Sequence, residues 1–69
     1  MKVGDLVKLA KWCKNGPELM QVTNISCRYY VEALFLGGPK LGSIVNVSTG
    51  NIFTLEGYDE AMRKHYEGR

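Results

Sequence analysis

The densest grouping of side chains able to meet a ligand is Lys8, Lys11, Trp12 and Lys14, three cations and one indole within seven residues. Cations meet phosphates and an indole face stacks on a base, so the cluster suits a nucleotide or a single nucleic-acid strand. Tyr29 and Tyr30 add stacking surface. Lys40 lies in the segment 37–42, where backbone donors beside a cation suit an anion. That segment lacks the Gly-x-x-x-x-Gly-Lys-Ser/Thr pattern and joins two strands without entering a helix, so it reads first as a turn. Trp12 also has a structural reading, in which it plugs one end of a small core while the lysines keep the surface soluble.

Catalytic groupings are missing from the pattern. His65 is the single histidine and falls on a helical stripe, there is no Gly-x-Ser-x-Gly segment, and the carboxylates between Asp5 and Glu67 are scattered with no paired spacing. The expectation is therefore non-enzymatic binding without a cofactor. Thirteen residues separate Cys13 from Cys27, with His65 far downstream. Metal sites use closer pairs and about four ligands, so two free thiols are expected and no metal. The start shows no apolar run before a cleavage site, and no stretch nears the roughly 18 apolar residues of a membrane span. Both features point to the cytoplasm and to no membrane partner. In that setting the glycosylation-type triplets at Asn24 and Asn46 carry no meaning.

These residues must be positioned by a small scaffold. The chain has 69 residues, 45% hydrophobic and 23% charged, with nine Lys and Arg against seven Asp and Glu. That balance is globular, argues against a nucleic-acid packaging role, and gives one domain over 1–69. A domain of this size buries only roughly 60% of its unfolded surface, so association between copies would help it. Alternation predicts a first strand ending at Leu9, then strands over 19–25 and 28–36, separated by the turn formers Asn15, Gly16 and Pro17. Two short strands over 43–47 and 51–55 follow, read as a hairpin through 48–50. A helix over 58–67 is predicted from Tyr58, Met62 and Tyr66 at four-residue spacing. The class is mainly β, a small five-stranded barrel with a short C-terminal helix.

Lys2-Val3-Gly4-Asp5-Leu6-Val7-Lys8-Leu9, followed by Gly16-Pro17 and Leu19-Met20-Gln21-Val22, resembles the opening of SH3-like barrels, KOW domains among them. The closer resemblance, over about the first half of the chain, is to the YodC-like group of small prokaryotic proteins. It implies an SH3-like barrel and an accessory role of bacterial or phage origin, and it implies no activity.

The third strand has two apolar faces. Val31, Ala33 and Phe35 join Tyr29 on one, and Tyr30, Leu34 and Leu36 dominate the other. A barrel has one interior, so the second face needs cover from the terminal helix or from another copy. An interface of Tyr30, Leu34, Leu36, Ile44 and Ile52 is expected, with Val45, Val47, Phe53 and Leu55 assigned to the core. The sequence thus reads as a homo-oligomeric binding module for a partner protein. The alternative is capture of a small nucleotide or a single-stranded nucleic acid by Lys8, Lys11, Trp12, Lys14, Tyr29 and Lys40.

Overall fold

A computed structural model describes residues 1–68. Five strands, β1 (Leu6–Leu9), β2 (Leu19–Ile25), β3 (Tyr30–Phe35), β4 (Ile44–Ser48) and β5 (Ile52–Thr54), form one antiparallel sheet, and α1 (Tyr58–Glu67) follows. The strand order is β4-β3-β2-β1-β5. Period-two alternation places one face of the curved sheet in the core. Val7 and Leu9 of β1, Met20 and Val22 of β2, Val31, Ala33 and Phe35 of β3, and Ile52 of β5 are all buried, with Val45 and Val47 packed against them. Cross-strand partners share a face, so Val7 beside Met20 and Met20 beside Phe35 make one continuous apolar row.

Three expectations need correction. The segments 43–47 and 51–55 do not form a hairpin, because a 3-10 turn (Thr49–Asn51), with Ser48 Oγ accepting from Gly50 N–H, carries the chain across to β1. There β5 pairs with β1, placing Ile52 opposite Leu9 and Phe53 opposite Lys8. Leu9 points inward, so Ile52 does too and is only 3% exposed, in the core and not at an interface. Phe53 turns to the outer face and Leu55 is exposed, which reverses the core assignment made from alternation alone. The turn resets the parity of the chain between the two strands. The two edge strands β4 and β5 do not pair with each other, so the sheet is not closed.

Helix α1 carries Asp59 and Glu60 in its first turn and Lys64 and His65 in its last, as the helix dipole favours. Arg63 bridges Glu60 and Glu67 on the solvent side, where such pairs add little. Tyr58 and Met62 are buried with Ala10, against Cys13, Phe53 and Ala61. Tyr66 stays 48% exposed, because eight residues at about 100° each rotate it roughly 80° off the Tyr58 line. The helix therefore packs on the β5 side and leaves β3 uncovered.

The Tyr58 hydroxyl is buried and finds no hydrogen-bond partner among the described residues. Burial first, then the neighbouring Tyr66, Asp59 and Cys13, pushes its pKa up. An unpaired buried hydroxyl costs about 1–3 kcal/mol, so Tyr58→Phe should leave stability unchanged or raise it by up to about 1 kcal/mol. Urea unfolding of the two proteins checks this, and a loss above about 1 kcal/mol would show the hydroxyl to be satisfied.

Candidate functional site

A cleft of about 370 Å³ opens between β4 and the β1–β2 loop. Its floor is apolar, from Leu9 of β1, Phe35 of β3, and Val45 and Val47 of β4, with Cys13 beside them. Polar groups ring the mouth: Lys14 and Asn15 from the β1–β2 loop, Tyr30, Asn46, Ser48, and Asn51 of the 3-10 turn. Lys14 is the one charged residue in this lining. Leu9 and Phe35 lie buried at its base, and Cys13, Val45 and Val47 are half-buried and form its accessible apolar wall.

The β1–β2 loop is folded tightly by its own main chain. Cys13 N–H donates to the Ala10 carbonyl at 3.1 Å, and Gly16 N–H donates to the Cys13 carbonyl at 3.0 Å. This presents Cys13 towards the core and Lys14 and Asn15 towards the cleft. Burial pushes the Cys13 thiol pKa up, so it remains a protonated, poorly nucleophilic group. Cys27 is exposed, and both cysteines are free.

The Lys and Trp cluster is divided by the fold. Trp12 does not plug the core; it lies outside, 38% exposed, stacked on His65 with ring centres 4.0 Å apart and edge-on to Phe53 at 5.8 Å. Its Nε1–H donates to Asn51 Oδ1 at 3.2 Å, which ties the β1–β2 loop to the rim of the cleft. Lys8 Nζ sits 4.5 Å from the centre of the Tyr58 ring, a cation–π contact inside the molecule. Lys11 and Lys14 are exposed, and only Lys14 lines the cleft. Tyr29 is exposed at the β2–β3 connection with the Arg28 guanidinium over its ring, and Lys40 is exposed in the β3–β4 loop outside the cleft lining. Of the six residues expected to touch a ligand, the structure brings one to the cleft.

Sequence reasoning did not find Asn15, Asn46, Ser48 and Asn51, which are polar residues of the cleft lining. The Asn15-Gly16-Pro17 turn signal was visible, but an asparagine in a turn carries no mark of a site until the sheet curls round to meet it. The pairs Leu6 with Gln21, Gln21 with Leu34, and Leu34 with Ile44 set a row across four strands, where Leu6 and Ile44 are exposed and Leu34 is half-buried. No family model, curated protein or solved structure matches this chain.

Proposed function

We propose that this chain is a non-enzymatic binding module that grips a segment of a partner protein in the seam between β4 and the β1–β2 loop. One observation carries the reading: half-buried Val45 and Val47 of β4 line an open cleft over buried Leu9 and Phe35, with polar residues and a single lysine also in its lining. An apolar floor with a few convergent polar groups is the usual composition of a binding site. The strand order β4-β3-β2-β1-β5 supports an SH3-like barrel. A strand of nucleic acid is served less well, because one face of Trp12 is covered by His65 and Lys8 is engaged with Tyr58. The uncovered outer row through Leu34 and Ile44, with Tyr30 and Leu36 beside it, supports association of copies as a second property of the module.

Native mass spectrometry of the protein purified from its own host tests the proposal, since it reports subunit number and retained ligand together. A protein partner should be retained by the wild type and by Lys11→Glu. Val47→Asp, checked by circular dichroism for its strands, should lose it, because a carboxylate on the floor leaves an unpaired charge in the contact and weakens binding by about 100-fold. A retained nucleotide or oligonucleotide that is lost in Lys11→Glu and kept in Val47→Asp would overturn the reading.

A further inference from the structure

The hydrogen bonding of β4 says how a partner enters the seam. Thr49 N–H donates to the Tyr29 carbonyl and Phe35 N–H donates to the Ser43 carbonyl, both at 2.9 Å. Residues 29 and 49, and 35 and 43, belong to the same register that pairs Val31 with Val47 and Ala33 with Val45. In an antiparallel pair every second residue bonds across to its neighbour, so Val45 and Val47 are spent on β3. Ile44 and Asn46 then present both N–H and C=O away from β3, and Ser48 presents its N–H. β4 is the outermost strand on this side.

Edge strands are usually defended by a charge, a proline or a bulge, and β4 has none of these: its sequence is Ile-Val-Asn-Val-Ser and its register with β3 is unbroken. The opposite edge is treated differently. β5 is only three residues long, α1 packs beside it, and Thr54 Oγ1 accepts from Gly57 N–H to cap the turn beyond it. One edge is blunted and the other is left open directly beside an apolar cleft.

Resting on the reading of the seam as the binding site, we infer that the partner segment binds as an added strand on β4. Its main chain pairs with Ile44, Asn46 and Ser48, and its alternate side chains are small and apolar and enter the cleft beside Val45 and Val47. The two-residue period of an extended chain matches the spacing of those valines. Lys14, the lone charge at the mouth, calls for a carboxylate at one end of the segment. A second copy of β4 is the poorer complement, since it has no carboxylate to offer.

The test uses 15N-labelled protein and a blocked heptapeptide of alternating valine and serine with one terminal glutamate. At saturation the amides of Ile44, Asn46 and Ser48 should shift downfield and exchange with solvent about ten-fold more slowly or better. N-methylation of the peptide on its β4-facing edge should abolish binding, and Lys14→Gln should weaken it by about three- to ten-fold. If the peptide moves the Val45 and Val47 methyl signals without protecting those amides, strand addition is wrong and the seam still binds. If it perturbs neither, strand addition by a segment of this chemistry is wrong, and the seam itself stands or falls on the response to Val47→Asp described above. Protection of the same amides that grows with protein concentration, in the absence of peptide, would assign the edge to a second copy and overturn the proposal.

Discussion

Phe35→Ala is expected to leave the chain largely unfolded at room temperature. Phe35 is the largest of the fully buried side chains, 2% exposed at the centre of the sheet's inner face. It sits opposite Met20 on β2, and the main chain of β3 holds it there through the Ser43 and Gly42 bonds at 2.9 and 3.0 Å. Removing a buried phenylalanine side chain costs about 3–5 kcal/mol in lost transfer energy and residual cavity. A domain of this length holds only about 3–10 kcal/mol in total, so the loss is comparable to the whole stability. Urea unfolding followed by circular dichroism should show a midpoint near zero denaturant, with Phe35→Leu recovering most of the transition. A change below about 1 kcal/mol for the alanine variant would mean that the inner face collapses around the gap and that the core is less close-packed than described. Because Phe35 also forms part of the cleft floor, the leucine variant separates packing from binding.

The second large effect is expected at Gly16. A methyl group there would lie inside the van der Waals radius of the Ala10 carbonyl oxygen and 2.9 Å from its carbon, and both are main-chain atoms of a buried residue that cannot swing aside. The Ala10 carbonyl accepts from Cys13 N–H, so pushing the two segments apart breaks the short turn that presents Lys14 and Asn15. Forced overpacking of this kind costs about 1–3 kcal/mol, and for a small domain each kcal/mol is worth roughly 4–8 °C in Tm. Gly16→Ala should therefore melt about 4–24 °C below the wild type. Gly50→Ala is the control: its added methyl would meet only Ser48 Oγ at 3.7 Å, an ordinary contact. Equal melting temperatures for Gly16→Ala and the wild type would show that the β1–β2 loop is free to move away from Ala10. The seam would then lose one of the walls that the binding proposal needs.

Much of the architecture was legible in the residues alone, and the reasons are local. Strand β2 over 19–25 and the helix over 58–67 were read with their observed bounds, because alternation and helical spacing are properties of a few neighbouring side chains. Of the face read as Tyr29, Val31, Ala33 and Phe35, the last three are buried by the same rule, while Tyr29 precedes β3 and is exposed. Local pattern failed where the chain turned: three residues of 3-10 helix between β4 and β5 changed which face Ile52 and Phe53 occupy, and no periodicity within either strand records that rotation. The cluster of Lys8, Lys11, Trp12 and Lys14 was equally real in sequence, but proximity along the chain did not become a shared surface. Alternation put Lys8 beneath Tyr58, while the folded loop put Trp12 against His65, a residue more than fifty positions away. The cleft itself is a purely tertiary object. Lys14, Tyr30, Val47 and Asn51 come from four segments, the β1–β2 loop, β3, β4 and the 3-10 turn, that are neighbours only in the folded chain. Sequence determined which residues are strand and helix and most of what faces inward. The pairing of the strands and the path of the loops between them decided which of them stand together, since both depend on contacts between residues far apart in the chain.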